Sequence, residues 1–282
     1  MSGFLLKYAN LCPINSGPLL NLTSLNTRMK LLLGDCLDLL PTIADDSINL
    51  LLVDLPYGTT ACKWDSIIPL DKLWEQYNRV CKEDAAMVFT AAQPFTTVLA
   101  ASNIKNLKYE WIWEKPQGTN PMNAKVMPLK SHENILVFYR KKSTYNPQMW
   151  YSTPYSGFKS DTAKIGEVYG KAQSKHRDNP DGSRYPKTVL KFKQEKGLHP
   201  TQKPVALMEY LIETYSNPGD TVLDNTMGSG TTGVACVRTD RNFVGMESDV
   251  EYYNLAQERI NNTVPVEEVA QESTNPLLNA LS

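Results

Sequence analysis

The chain has 282 residues, a length typical of one large domain or of two smaller ones. Its 29 basic and 30 acidic residues give a formal net charge of −1, which excludes a protein that coats polyanions through overall charge. No apolar run approaches the roughly 18 residues of a membrane span, so the composition also argues against a membrane protein.

The N-terminal region and the cysteines indicate the cellular location of the protein and the state of its thiols. The start of the chain has too short an apolar segment and too little positive charge for a secretory signal, so we expect a cytoplasmic protein. The five cysteines are widely spaced and form no CxxC pair, so we expect reduced thiols and no metal site. Residues 1–28 are polar and aperiodic and are predicted to be an extension.

Short apolar runs alternate with amphipathic stretches over most of the remaining chain. The runs are predicted strands at 31–33, 48–53, 86–89, 135–138, 221–223 and 242–245. Strands that are apolar throughout are typical of a parallel sheet that helices cover on both faces. The sequence therefore predicts a doubly wound, mostly parallel α/β fold.

The strand at 48–53 ends in a distinctive tetrapeptide, DLPY, at 54–57. In open α/β sheets the ligand crevice lies beyond the carboxyl ends of the strands, so Asp54 and Tyr57 are expected at such a crevice. An ordinary turn would explain the proline, but it does not require an acid and a tyrosine on either side of it.

The charge is unevenly distributed along the chain. Residues 140–197 hold 13 basic and five acidic residues, a net charge of +8, whereas the remaining 16 basic and 25 acidic residues give −9. Aromatic residues are interleaved with the basic ones. This segment is typical of a surface that contacts a polyanion such as a nucleic acid, and charge alone leaves a solvated basic insertion as the alternative.

A glycine-rich turn, TVLDNTMGSGTTGVAC, follows the predicted helix at 204–215. Its glycines allow a tight turn and a close approach to a ligand, and a helix begins directly after them. The pattern GxGxxG leaves a dinucleotide site open, and helix packing alone is a further alternative. However, Asp224 before the glycines would repel a pyrophosphate. S-adenosylmethionine, with its ammonium, sulfonium and ribose, suits Asp224 and Glu247 better.

The tetrapeptide at 54–57 and DNTMGSGTT at 224–232 together resemble the amino-methylating DNA methyltransferases. Further matching segments are GDCLDLL at 34–40, WEKPQG at 113–118, SHENILVFYRK at 131–141 and HPTQKP at 199–204. Their order is similar to that of the beta group, whose Rossmann-like sheet of seven strands is a permutation of the common methyltransferase fold. The resemblance implies S-adenosylmethionine as methyl donor and double-stranded DNA as substrate.

The resemblance also implies the site residues. Catalysis would depend on Asp54, which accepts one N–H of the target amine, on the carbonyl of Pro56, which accepts the other, and on Tyr57, which stacks on the extruded base. The implied cofactor-binding residues are Asp35, Cys36, Asp54, Thr201, Lys203, Asp224, Asn225, Thr226, Gly228, Gly230, Thr231, Glu247 and Ser248. The implied DNA-binding residues are Lys142, Lys175, Arg177, Arg184, Lys187, Lys191 and Lys193.

Several further expectations concern single segments. Trp113 and Lys115 are expected to line the base pocket, and His199 is expected to have a local role in a turn. The stretch at 119–125 is expected to be a loop that closes over DNA.

At the level of domains, the resemblance implies a catalytic domain at 29–139 and 199–262 and a basic target-recognition insertion at 140–198. The polar, aperiodic composition of 263–282, like that of the extension at 1–28, predicts a flexible tail. The resemblance also suggests a homodimer and a cognate restriction endonuclease as partners, in a bacterium or a phage.

Versions of the tetrapeptide that begin with serine resemble the cytosine N4 enzymes. The aspartate at position 54 therefore favours adenine N6 as the target. A cytosine N4 methyltransferase, an RNA methyltransferase and a catalytically silent DNA-binding protein stay open as alternatives. Two positions depart from the family pattern: Asn225 and Thr226 stand where a Pro-Phe pair is usual, and Leu55 replaces a proline.

Overall fold

The computed structural model describes residues 28–59, 65–158, 177–195 and 202–264. The α-helices in these ranges are α1 (Cys36–Leu39), α2 (Leu70–Val80), α3 (Phe95–Ser102), α4 (Val205–Tyr215), α5 (Thr231–Arg238) and α6 (Val250–Asn261). The strands are β1 (Met29–Leu33), β2 (Ile48–Val53), β3 (Cys81–Ala91), β4 (Leu107–Thr119), β5 (Lys130–Phe138), β6 (Trp150–Tyr151), β7 (Tyr155–Phe158), β8 (Arg177–Asn179), β9 (Ser183–Arg184), β10 (Val189–Lys191), β11 (Thr221–Asp224) and β12 (Asn242–Glu247). Among the described residues, no helix has the length and apolar character needed to cross a membrane.

A single large sheet organises the molecule. Its eight strands lie in the order β1-β12-β11-β2-β3-β5-β4-β10, and β6 with β9 and β7 with β8 form two small pairs. Within the large sheet, β5 runs antiparallel to β3 and β4, and the other pairings are parallel. All of its strands except β5 therefore end at one edge, which we call the carboxyl edge, and β5 begins there.

The strand β2 shows why helices cover both faces of the sheet. All of its residues except Asn49 are buried. Leu50 and Leu52 pack into one core with α4, α5 and α6, whereas Leu51 and Val53 pack into a second core with α1, α2 and α3. The predicted doubly wound α/β fold is thus confirmed.

The sheet has one strand more than the seven that the family resemblance implies. The additional strand, β10, comes from the basic segment and pairs in parallel with β4. Leu190 is 7% exposed and packs into the first core, while its neighbours Val189 and Lys191 are exposed. A single buried leucine between exposed neighbours forms no apolar run, which is why the sequence pattern does not predict this strand.

The strand β4 is also absent from the predicted strands, for a different reason. Buried Trp111 and Trp113 alternate with partly or fully exposed residues. The side chains of β4 therefore alternate between a buried and a more exposed face of the sheet. Continuous apolar runs mark strands that are buried on both faces, and β4 does not have this pattern.

Candidate active site

The carboxyl edge of the sheet carries a cavity of about 410 Å³. Strand ends from four parts of the chain converge on it. The predicted site residues that line it are Asp35, Cys36, Asp54, Pro56, Tyr57, Lys203, Asp224, Asn225, Thr226, Gly228, Thr231, Glu247 and Ser248. The fold therefore brings together side chains that are far apart in sequence, as ligand sites in open α/β sheets do.

Asp54 follows β2 and is held by three donors. Its Oδ1 accepts hydrogen bonds from the Tyr57 hydroxyl, at 2.7 Å, and from the Thr90 hydroxyl. Its Oδ2 accepts from Nζ of Lys203 at 2.6 Å. The side chain of Asp54 is 27% exposed, so the carboxylate is fixed in orientation and still open to the cavity.

Lys203 lies shortly before α4 and connects Asp54 to a series of side chains whose charges alternate in sign. Its ammonium contacts Asp54 and also lies 3.4 Å from Oε2 of Glu133 in β5. The other oxygen of Glu133 accepts from Nζ of Lys115 in β4 at 2.5 Å. We call these four residues the charge chain: Asp54, Lys203, Glu133 and Lys115.

Burial makes the charge chain electrostatically tight. The side chains of Lys203, Lys115 and Glu133 are 6%, 9% and 12% exposed. Desolvation by itself lowers the pKa of Lys203, but Asp54 and Glu133 overcome it, so this pKa is raised. Desolvation raises the pKa of Glu133, but Lys203 and Lys115 overcome it, so this pKa is lowered. Both residues are therefore charged at neutral pH.

Tyr57 joins the Asp54 carboxylate to the second core. One face of its ring stacks on Phe95, with centroids 5.4 Å apart and planes 21° from parallel. Nζ of Lys203 lies 5.7 Å from the ring centroid. Desolvation, together with Asp54 and Glu133, raises the pKa of Tyr57 well above its usual value. Tyr57 therefore stays protonated and donates its hydroxyl to Asp54.

The glycine turn lies beside Asp54. The Thr226 hydroxyl donates to the backbone oxygen of Asp54 at 3.0 Å, which ties the two motifs together. Asp224 is 3% exposed and accepts from the backbone N–H of Thr226 and the hydroxyl of Thr232. Because burial outweighs these hydrogen bonds to neutral donors, the pKa of Asp224 is raised to about 7.

Glu247, at the end of β12, connects that strand to the glycine turn. Its Oε2 accepts from the backbone N–H of Gly228 at 2.9 Å, and its Oε1 accepts from that of Asp249 at 2.8 Å. A carboxylate oxygen accepts up to two hydrogen bonds, so each retains capacity for a ligand hydroxyl. Directly after the neighbouring strand β1, Gly34 donates its backbone N–H to the backbone oxygen of Glu247 at 2.8 Å, and Asp35 caps α1 by accepting from the backbone N–H of Leu37.

Asn225 is a buried polar residue at this site whose side-chain amide has a hydrogen-bond donor without a partner among the described residues. It is 2% exposed, and its Oδ1 accepts from the Tyr77 hydroxyl at 2.8 Å. Its Nδ2 is buried without a hydrogen-bond partner among the described residues. Burial raises the pKa of the nearby Cys36 thiol, and the Asn225 amide lowers it by less. A thiol is a weak acceptor, so the amide remains a donor suited to a ligand in the cavity.

Gly230 differs from the other predicted cofactor residues that the structure describes, because it does not line the cavity. It has a φ of +78°, and a Cβ built on it would lie 2.8 Å from Cβ of Ala256 in α6. The close approach of α6 is therefore the reason that the structure shows for glycine at this position.

The expected base-pocket residues also have other surroundings. Neither Trp113 nor Lys115 lines the cavity. Trp113 is buried and donates its indole N–H to the backbone oxygen of Phe192. Lys115 is held by Glu133 in the charge chain. Thr201, His199 and Lys175, together with the side chain of Arg177, lie outside the described residues.

The predicted DNA-binding residues are spread over the molecule. Lys191 ends β10 at the carboxyl edge and is 76% exposed, 3.4 Å from Glu114, and Lys193 follows it. Lys142 instead follows β5, at the opposite edge, where it lines a second cavity of about 330 Å³.

Two further basic residues of the same group contact aromatic rings. The guanidinium of Arg184 lies 5.0 Å from the centroid of Tyr155, and Lys187 lies 5.7 Å from that of Trp150. Arg184 also donates to the backbone oxygens of Ser183 and Thr153, so part of its capacity maintains the small β-pairs.

Sequence reasoning missed Thr90 and Glu133, which contact the charge chain or belong to it. Glu133 lies two residues before the apolar run of β5. It reaches the carboxyl edge only because β5 is antiparallel, and an apolar run does not reveal its direction. An acid just before a strand, rather than after it, is the signal that would have found it.

Comparison with known proteins identifies the family. The profile of the N6/N4 DNA methylases matches residues 48–258, so this chain belongs to that family of DNA methyltransferases. It is 30% identical to the Type II methyltransferase M1.MboII of Moraxella bovis over 79% of this chain and 92% of the relative. It is 27% identical to the DNA adenine methyltransferase YhdJ of Escherichia coli, over 83% of each chain.

Solved structures agree with this assignment. The M1.HpyAVI–SAM complex is 26% identical to this chain, covers 82% of this chain and 99% of its own, and has a TM-score of 0.56. The PvuII cytosine-N4-specific methyltransferase, at 17% identity, covers 86% and 90% with a TM-score of 0.61 and shows the shared fold. Methyltransferases of this family use S-adenosylmethionine, as the resemblance implies.

Proposed function

We propose that this chain is a site-specific DNA adenine methyltransferase that transfers a methyl group to the N6 amine of a flipped adenine in double-stranded DNA. The observation that carries the proposal is the carboxylate of Asp54, held by three donors and open to the cavity. The methyl group comes from S-adenosylmethionine, whose sulfonium makes it reactive toward a nucleophilic nitrogen.

The cavity suits S-adenosylmethionine on three counts. Its volume of about 410 Å³ lies within the range of sites for ligands of this size. Asp224 is a buried acid that accepts only from neutral donors among the described residues, and the ammonium and sulfonium supply positive charge. Glu247 has acceptor capacity for ribose hydroxyls, and the buried Nδ2 of Asn225 has a hydrogen bond to donate.

On this proposal, Asp54 prepares the amine for attack. The lone pair of an exocyclic amine is delocalised into the ring, so an acceptor that draws on an N–H favours the tetrahedral nitrogen. Asp54 provides that acceptor and the Pro56 carbonyl the second. The nitrogen becomes positively charged as the new bond forms, and the fixed carboxylate stabilises that charge and accepts the proton. Tyr57 and Thr90 keep Asp54 in place for this.

Two observations support adenine rather than cytosine as the target. The tetrapeptide begins with Asp54. Tetrapeptides that begin with serine instead resemble those of the cytosine N4 enzymes. In addition, the related YhdJ is named a DNA adenine methyltransferase. The likeness to the PvuII cytosine-N4 enzyme concerns the fold and does not favour either base.

The carboxyl edge is the side of the molecule that we propose faces DNA. It holds the cavity and the exposed Lys191, and Lys193 follows two residues later. The turn between β4 and β5 projects from the same edge, and its Met122 is 94% exposed. A duplex lying there would bring phosphates to the lysines and an extruded base to Asp54.

The proposal is tested by incubating the purified chain with unmethylated genomic DNA and isotopically labelled S-adenosylmethionine. The DNA is then digested to nucleosides, which are separated and identified by mass spectrometry. We expect labelled N6-methyladenine, and none with Asp54→Ala, which retains the cofactor cavity; sequencing a second portion of the DNA for modified bases should place the methyl groups at a defined sequence. Labelled N4-methylcytosine would contradict the choice of base. Label in a parallel incubation with RNA, and none in the DNA, would contradict the choice of substrate.

A further inference from the structure

We propose that Glu133 is a positioning residue for methyl transfer, because it balances the charge around Asp54 and shares Lys203 with it. The inference rests on the proposed function and extends it to a residue outside the motifs at 54–57 and 224–232. It depends on a sequence of contacts that the fold forms between β2, β4, β5 and the segment before α4.

The direction of β5 brings Glu133 to the site. Because β5 is antiparallel, its N-terminal end lies at the carboxyl edge, and Glu133 pairs with Trp113 of β4 in the sheet register. Lys115 and Lys203 each contact one of its two carboxylate oxygens. Oε2 of Glu133 is buried and makes no hydrogen bond within the described residues, so the lysine at 3.4 Å is its polar neighbour.

The net charge of the charge chain is balanced. It has two acids and two lysines, so its formal charge is zero. Its three innermost side chains are at most 12% exposed, where water and salt screen charges poorly. Neutralising Glu133 would leave one excess positive charge beside a nitrogen that becomes positive during methyl transfer. Neutralising Lys115 would leave one excess negative charge instead.

Lys203 and the target amine compete for Asp54. Lys203 donates to Oδ2 of Asp54 at 2.6 Å, and the amine must use the same carboxylate. Glu133 offers the ammonium a second anionic partner, which weakens its hold on Asp54. Without that partner, Lys203 would pair with Asp54 alone, and the amine would compete less well.

The experiment compares Glu133→Gln, Lys115→Gln and the double variant with wild type. Single-turnover methyl transfer at saturating DNA and cofactor isolates the chemical step, and calorimetry measures S-adenosylmethionine affinity. We expect Glu133→Gln to lose about tenfold or more in rate, equivalent to about 1.4 kcal/mol in the barrier, with cofactor affinity within about twofold. The double variant, again neutral, should recover the part of the rate that the excess positive charge removes, although Lys203 still lacks its second anionic partner.

The pH–rate profile separates electrostatics from a merely structural effect. The charged groups that act on Glu133 are Lys203 and Lys115; Asp54 is the other partner of Lys203, and the neutral Tyr57 lies nearby. An excess positive charge favours ionised carboxylates, so the acidic limb should move to lower pH in Glu133→Gln. It should move to higher pH in Lys115→Gln and return in the double variant.

Asp240→Asn is the matched control, because it removes an acid from an exposed ion pair with Arg28. That pair lies at the edge of the sheet away from Asp54, so rate and pH profile should not change. A double variant no faster than Glu133→Gln, or limbs that do not move in opposite directions, would overturn the inference. If Glu133→Gln folds poorly, the acidic limb of the pH–rate profile of Lys115→Gln still tests the inference, because a limb that does not move to higher pH would overturn it. A wild-type chain that methylates no DNA would instead refute the proposed function.

Discussion

Asp54 and Asp224 are both acids at the ends of neighbouring strands, yet their surroundings differ in one respect. Asp54 has the ammonium of Lys203 as a partner, whereas Asp224 has only the neutral donors Thr226 and Thr232 among its described hydrogen-bond partners. Burial therefore raises the pKa of Asp224 to about 7. A cationic ligand would supply a counter-charge to the Asp224 carboxylate.

Asp224→Asn should stabilise the ligand-free protein at pH 8 and have little effect at pH 4. A raised pKa means that the folded state favours the protonated acid, so the cost of Asp224 grows as pH rises from its ordinary value of 3.8 through about 7. The gain is at most about 4 kcal/mol, and denaturant unfolding at both pH values measures it. A larger gain at pH 4 would contradict the pKa direction.

The same variant should bind S-adenosylmethionine more weakly at pH 8, although the free protein is more stable. Wild-type affinity should fall as pH drops below about 7, and the affinity of Asp224→Asn should depend less on pH. Calorimetric titrations across this range test both statements. Equal affinities at pH 8 would place the cationic part of the cofactor away from Asp224.

At the scale of elements, the glycine turn serves two neighbours. Gly228 lines the cavity, has a φ of +51° and has open space where a Cβ would lie. Gly230 instead packs against Ala256 of α6, with 2.8 Å between the added Cβ and that of Ala256. Left-handed backbone thus favours glycine at both positions, and helix packing requires it at one.

This difference predicts different outcomes for two alanine substitutions. Gly228→Ala should cost about 1 kcal/mol of unfolding free energy from its backbone strain. Gly230→Ala should cost more, because α6 must also move away. The loss of cofactor affinity should be larger in Gly228→Ala than in Gly230→Ala, because only Gly228 of the two lines the cavity. Chemical denaturation and calorimetry measure the two effects, and equal stability of the variants would contradict the packing argument.

At the scale of the whole molecule, the net charge of −1 combines an acidic remainder with a basic segment of +8. Of the described residues of this segment, the structure brings some to the carboxyl edge and places others elsewhere. Lys191 lies there, paired at 3.4 Å with Glu114, and exposed pairs of this kind contribute little to stability. Lys142 lies at the opposite edge.

Replacing Lys191 and Lys193 by glutamine should reduce the salt dependence of DNA binding. Removing one phosphate interaction lowers the slope of log K against log salt by about 0.9, so the pair should lower it by up to about 2. Fluorescence anisotropy at several salt concentrations measures the slope. Lys30→Gln with Lys105→Gln removes the same charge from the opposite edge and should leave it unchanged. A slope equal to that of wild type would place both lysines off the phosphate path.

The sequence by itself determined the fold class, the family, the methyl donor and the two strand-end motifs. Local signals carry these features: runs buried on both faces mark parallel strands, and the tetrapeptide at 54–57 and the glycines near Asp224 each lie within a short stretch.

The tertiary structure decided which distant charges meet. Lys203 reaches Asp54 from 149 residues away, and Glu133 reaches Lys203 because β5 runs antiparallel. Neither strand direction nor side-chain contact is encoded in a short apolar run. A pattern of residues predicts which groups a site contains, but charge balance inside it depends on distance and burial, which exist only after the chain has folded.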